Sequence, residues 1–330
     1  MKRAYIILLN YHGIKDTIEC LESLLKLKYQ NFQVLVVDNS NNLDDLAVFT
    51  SWAQGEPVEV KTAFERLVYP LSAKPVDYKT VSEDEFSAAA YQEKIVFIKA
   101  AKNGGFAAGN NIALRHIVKY GSNDSFIWLL NNDTVTEKES LGALVSFAER
   151  EENAQTGIIG SRLVYYYKPT ELQAIGGRFN TTFYISTHEG EGQPVDTPKS
   201  TFESVDYVVG ASMFTTHRFL TEVGPLSEDY FLYYEELDWT YRAKEKGWTV
   251  DWCPESVVYH KEGASIGSSY REKKSLFSEE QVFRSRKIFT KKFYGLSLKF
   301  YLSSMLLIAN RLRKGNFKAA MAVTKITFAK

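Results

Sequence analysis

Four apolar runs in the first 130 residues each stop abruptly at polar side chains, and this rhythm limits the fold more than any other feature of the chain. Residues 5–9 run into Asn10-Tyr11, and residues 32–37 into Asp38-Asn39-Ser40. Residues 95–99 are followed by Asn103-Gly104-Gly105, and residues 126–130 by Asn131-Asn132-Asp133. Between the runs the spacing changes to that of helices. Ile18, Leu21, Leu24 and Leu25 mark one over residues 15–27; Ile112, Ala113, His116 and Ile117 mark another over 106–120, closed by Gly121. Strands alternating with helices predict an α/β fold with a mainly parallel sheet and helices on its faces. Ligands of such sheets bind in the crevice outside the carboxyl ends of the strands.

The residues at those ends suggest what the crevice holds. A carboxylate such as Asp133 can share a divalent cation with substrate phosphates. The same Asn131-Asn132-Asp133-Thr134 also reads as a turn with Asp133 or Thr134 capping a helix, and on these residues alone both readings stand. In the stretch from Asn103 to Asn111 the glycines and alanines let backbone approach a ligand closely, and the helix that follows offers free N–H groups to an anion. It is neither the dinucleotide fingerprint nor a P-loop, because G-x-G-x-x-G and the Lys-Ser/Thr pair are missing. A second acidic group, Glu235-Glu236-Leu237-Asp238, is suited to abstracting a proton. Acids in a helix's first turn also favour its macrodipole, which accounts for some of that charge.

Elsewhere the pattern is weaker. Residues 55–93, with Pro57, Pro70 and Pro75, read as an insertion or lid with a helix at 84–92. Helices are expected at 137–149 and 235–246, and strands at 157–164, 205–214, 248–252 and 256–259. Residues 165–200 read as irregular structure or a hairpin over the site. The net charge of zero hides an asymmetry: residues 281–330 hold 12 Lys or Arg and no acid, leaving 28 basic and 40 acidic residues elsewhere. Helices are expected there at 278–293, 297–312 and 317–328. A basic, apolar, acid-free segment suits an anionic membrane surface, which is preferred here over nucleic acid or helices simply docked on the body. No run reaches the roughly 18–20 apolar residues of a membrane span. Cys20 and Cys253 offer neither a disulfide framework nor metal-ligand spacing. With no signal peptide evident at the start, the expected location is the cytoplasm, peripheral on the inner face of the membrane.

Seven ordered pieces carry a resemblance. They are Ile6 to Gly13, Val36 to Ser40, Asn103 to Asn111, Leu129 to Thr134, Gly210 to Met213, Tyr233 to Trp239 and Val258 to Ser265. Together they resemble family 2 glycosyltransferases of the GT-A fold, from the branch of bacterial rhamnosyltransferases and related cell-surface polysaccharide enzymes. The resemblance implies a Rossmann-like GT-A domain over residues 1–270, with the insertion at about 55–93, and a basic helical C-terminal extension over 271–330. It also implies a metal-dependent, inverting sugar transfer. The donor is a dTDP- or UDP-linked sugar, rhamnose favoured; the acceptor is a saccharide, lipid-linked by preference.

Residue roles follow by motif. Asn10, Tyr11, Asp38, Asn39, Gly105, Asn110, Asn131, Asn132 and Asp133 are expected around the nucleotide-sugar. Asp133, with His260, is expected to hold Mg²⁺ or Mn²⁺, Asn131 standing at the amide-substituted first position of the metal motif. Glu236 is expected to be the base, with Asp238 in reserve and Glu235 beside them. A nucleotidyltransferase on the same scaffold and an inactive nucleotide-sugar-binding protein are the alternatives. The first usually carries a glycine-rich, Arg-containing segment that Asn10-Tyr11-His12-Gly13 is not, and the second has no need of a base.

Overall fold

The structure, a computed structural model, describes residues 1–40, 42–262 and 275–329. Gly263, Ala264 and Ser265, which close the last motif, and the expected boundary at 270/271 lie outside the described residues. In the first half the strands are β1 (Ala4–Asn10), β2 (Phe32–Asp38), β3 (Tyr78–Ser82), β4 (Ile95–Lys99), β5 (Phe126–Asn131) and β6 (Thr134–Thr136). Then come β7 (Thr156–Tyr165), β8 (Lys168–Ala174), β9 (Gly176–Asn180), β10 (Ile185–Glu189), β11 (Ser212–Thr216) and β12 (Thr249–His260). The helices before β7 are α1 (Ile14–Leu24), α2 (Leu43–Gln54), α3 (Glu65–Val68), α4 (Glu83–Ala88), α5 (Gly105–Tyr120) and α6 (Ser140–Ala148). Those after it are α7 (His217–Val223), α8 (Glu235–Glu245), α9 (Leu276–Phe293), α10 (Leu298–Arg313) and α11 (Phe317–Phe328).

The main sheet runs β3-β4-β2-β1-β5-β11-β7-β12-β6, with β8 paired beside β7. From β3 to β5 all pairings are parallel, and β11 joins β5 antiparallel. Every residue of β2 is buried, as expected of a parallel strand covered on both faces. Alternation along the strands splits the core. Ile6, Leu8, Val34, Val36 and Trp128 pack with Ile18, Leu21 and Trp52 from α1 and α2. Ile7, Leu35, Val37, Ile127 and Leu129 pack with Ala113 and Ile117 of α5 and with Trp239 of α8. Register then decides where the site falls: Asn10 lies opposite Asp38, Leu9 opposite Asn131, and Asp38 opposite Lys99. The polar ends therefore share one edge of the sheet.

Several expectations need correcting. The 55–93 segment is folded onto the body. Tyr78–Ser82 extends the sheet beside β4, the helix there spans only Glu83–Ala88, and Phe64 stacks on Tyr259 at 4.0 Å. Of the expected strand 205–214 only Ser212–Thr216 forms a strand, while Tyr207 makes an isolated bridge to Gly177. The two strands expected at 248–259 are one, β12, with a register shift between Cys253 and Val257 at Pro254. Residues 165–200 contain β8 and a β9–β10 hairpin. The tail helices α9 to α11 lie close to their expected bounds.

Candidate active site

A cavity of about 190 Å³ opens at the carboxyl end of the sheet, lined by Tyr11, Asn39, Asn131, Asn132, Asp133 and Gly105 among others. None of residues 55–93 lines it. Its apolar walls are Leu9, Phe106, Phe231, Leu232 and Phe277, of which sequence reasoning singled out none. Phe277 comes from the first turn of α9 and meets Phe231 edge-on at 6.2 Å.

Two expected ligand contacts lie beneath the cavity instead of in its wall. Asn10 Nδ2 donates to Asp38 Oδ1 at 2.8 Å and to Asp45 Oδ2 at 3.0 Å, and Asn10 Oδ1 accepts from Thr17 Oγ1 at 3.0 Å. Asp38 Oδ1 also accepts from Ser40 Oγ at 2.7 Å. With both atoms of its amide bonded, buried Asn10 fixes the strand ends more than it greets a ligand. Asn110 turns back on its own helix, donating to Phe106 O at 2.9 Å, and does not line the cavity. Asn39 differs: its Nδ2 donates to Gly105 O at 3.1 Å, while its buried Oδ1 has no partner among the described residues.

Gly105 explains how the cavity's two sides are joined. It sits at φ +87°, and a Cβ there would stand 2.1 Å from Phe231 O. Phe106 N donates to that same oxygen at 2.9 Å, so the loop before α8 is pinned to the start of α5. Only glycine permits this approach.

Asp133 and His260 meet across the end of the sheet, because β6 pairs with the last residues of β12. His260 Nε2 lies 3.2 Å from Asp133 Oδ1 and 3.3 Å from Asn131 Nδ2. His260 Nδ1 bonds Gln173 Oε1 at 2.8 Å, which fixes the ring with Nε2 toward Asp133. Burial would lower the imidazole's pKa, but the Asp133 charge and hydrogen bond outweigh it and raise it. Burial likewise works to raise the Asp133 carboxyl, and the His260 charge and hydrogen bond bring it below its ordinary value. Among the described residues no three His, Cys, Asp or Glu gather into a protein-only cage. One carboxylate with an imidazole fits a cation that takes its remaining ligands from phosphates and water.

The acidic cluster divides by role. Tyr233 and Tyr234 enter α8 at φ +68° and +71°, a conformation that costs an L-residue about 1–2 kcal/mol. Packing holds the turn: Tyr234 is buried and its OH donates to Tyr184 O at 2.8 Å. Glu235 is buried with Oε2 unpartnered among the described residues, and burial, then the neighbouring Glu236, raises its pKa well above the usual range. Half-buried Glu236 is pushed up to about 7 by burial. Asp238, the reserve base, has neither oxygen free. Oδ1 accepts from Arg242 Nε at 2.6 Å, and Oδ2 accepts from Tyr230 OH at 3.1 Å and Lys292 Nζ at 2.5 Å. It is an anchor between α8 and α9.

The chain is similar to known proteins at three levels. Residues 66–275 match the family model described as "Glycosyltransferase like family 2". The low-salt glycan biosynthesis hexosyltransferase Agl10 of Haloferax volcanii is 23% identical over 217 residues, 64% of this chain and 65% of that protein. The chain thus spans just under two thirds of that relative. Mannosyltransferase PcManGT from Pyrobaculum calidifontis, solved in complex with GDP-Man and Mn²⁺, superposes with a TM-score of 0.53 at 12% identity, over 98% of this chain and 74% of that one. That likeness shows a shared fold.

Proposed function

The chain belongs to glycosyltransferase-like family 2, and we propose that it moves a hexosyl group from a nucleotide-diphosphate sugar to a saccharide acceptor, with inversion at the anomeric carbon. The observation that carries the proposal is Asp133 in the wall of a cavity at the carboxyl end of β5, with His260 Nε2 3.2 Å from its Oδ1. Mg²⁺ or Mn²⁺ held by Asp133, with His260 beside it, would supply charge neutralisation to the departing nucleoside diphosphate. Asn39, Asn103 and Tyr11 would hold the nucleoside against Phe106. Asn10 and Asp38 would keep the strand ends in register below it.

Glu236 would take the proton from the acceptor hydroxyl as that oxygen attacks. A carboxyl titrating at about 7 is well matched to this task near neutrality, where general-base help contributes roughly 10²–10⁴-fold. Glu235 lies buried beside it, its pKa raised by burial and then by the neighbouring Glu236. One displacement inverts the centre and needs no second nucleophile. The name of the Haloferax relative favours a hexosyl donor. Rhamnose from a dTDP donor remains the first choice by motif, with UDP-linked hexoses next, and the acceptor is taken to be a lipid-linked saccharide of a surface polysaccharide.

The test is release of nucleoside diphosphate from a panel of dTDP-, UDP- and GDP-sugars with Mn²⁺. One donor should be consumed by the wild type and spared by Asp133→Ala and Glu236→Gln. Equal turnover by all three proteins would end the proposal.

A further inference from the structure

Helix α10 is amphipathic in the wrong sense for a helix facing water. Leu298, Leu302, Met305, Leu306 and Leu312 share one face, and they are 74, 53, 55, 61 and 47% exposed. The opposite face is turned inward and carries polar groups: buried Ser303 and Ser304 each accept from the Arg286 guanidinium of α9 at 2.8 Å. Helix α11 repeats the arrangement. Phe317, Met321 and Phe328 are 67, 56 and 55% exposed, while Ala319, Ala320 and Val323 are buried.

Exposed cations border both stripes: Lys299, Arg313, Lys314, Lys318 and Lys325. No Asp or Glu occurs anywhere in residues 281–330. A second copy meeting this face with its own would set like charges together, so charge complementarity selects an anionic occupant.

We infer that α10 and α11 form the surface on which the protein lies on an anionic lipid bilayer. The apolar stripes enter the acyl boundary and the flanking cations sit among headgroup phosphates. Among the described residues no helix is long and apolar enough to cross a membrane, so this contact is with one leaflet. The face is tied to the cavity through α9. Lys287 Nζ donates to Ile326 O at 3.0 Å, Lys292 binds Asp238 of α8, and Phe277 lines the cavity wall. Docking therefore sets the cavity's orientation to the bilayer. This deepens the lipid-linked reading of the acceptor, but its test needs neither donor nor acceptor, so either can fail without the other.

The test is cosedimentation of the full chain with vesicles containing phosphatidylglycerol, against vesicles of phosphatidylcholine alone. The wild type should partition onto the anionic vesicles. Leu302→Glu with Leu306→Glu should reduce that by at least about tenfold, and Lys318→Ser by about fivefold. All three positions are exposed, so the near-UV circular dichroism of the variants should match the wild type. Absence of partitioning, or equal partitioning of wild type and double variant, would overturn the inference. So would a wild-type dimer in solution that the double variant abolishes, because the face would then be covered by a second copy.

Discussion

Replacing Glu236 with glutamine should make the protein more stable and less active, with a gain that depends on pH in a calculable way. In the folded chain burial holds this carboxyl at about 7, against 4.5 for the free group. A raised pKa means that the folded state binds the proton more tightly than the unfolded chain. Its stabilising effect is complete below about pH 4.5 and is lost as pH rises through about 7. At 1.36 kcal/mol per unit, the ionised side chain costs the fold about 3 kcal/mol above pH 8. Glu236→Gln keeps the shape and cannot ionise, so it removes that cost; it also removes the charge that helps raise Glu235. Urea unfolding of both proteins at pH 4.5 and pH 8.5 reads the effect. The variant should gain up to about 3 kcal/mol at the higher pH and close to nothing at the lower. An equal gain at both values, or none at pH 8.5, would refute the assignment of a raised, ionising carboxyl to this position.

Other consequences can be checked in the same preparations. Asp238→Ala strands two cations against a buried site, and urea unfolding should show a loss of about 3–5 kcal/mol. Gln173→Leu removes the acceptor that orients His260, and Mn²⁺ titration in the presence of the cognate nucleoside diphosphate should find affinity reduced about 10–100-fold. Gly105→Ala cannot keep both its positive φ and its approach to Phe231 O, so thermal stabilisation by nucleotide should shrink along with the protein's own melting temperature. Transfer by the wild type should rise with pH through about 7, as Glu236 loses its proton, and level off above it.

The central strands were legible because burial on both faces leaves continuous apolar runs that break only at their polar ends, as in Phe32–Asp38. Strand β3 was not, because it lies at the sheet's edge with only Val81 fully buried, and Tyr78-Lys79-Thr80 reads as loop. Pro254 made β12 look like two strands, since nothing local reports that pairing resumes after a register shift. The amides and acids of the site could be found as strand ends. Their division could not: Asn10 and Asp38 look as available as Asn39 until three-dimensional partners are assigned. Gln173 is 87 residues from His260 and carries no local signal, and Phe277 sits in a tail that the pattern of charge assigned to another role. Asp238 is the instructive case. Its proximity to Glu236 suggested a second base, and only the arrival of Lys292 from α9 reveals an anchor.

The most direct measurement is thermal stabilisation by nucleoside diphosphates with Mn²⁺, comparing the wild type with Asp133→Ala. Ligand at about 100 times its Kd should add roughly 2.7 kcal/mol to the native state. The account predicts a metal-dependent shift with one nucleoside diphosphate that Asp133→Ala abolishes while its unliganded structure is retained. A shift that survives the substitution, or no shift with any nucleotide, would contradict it.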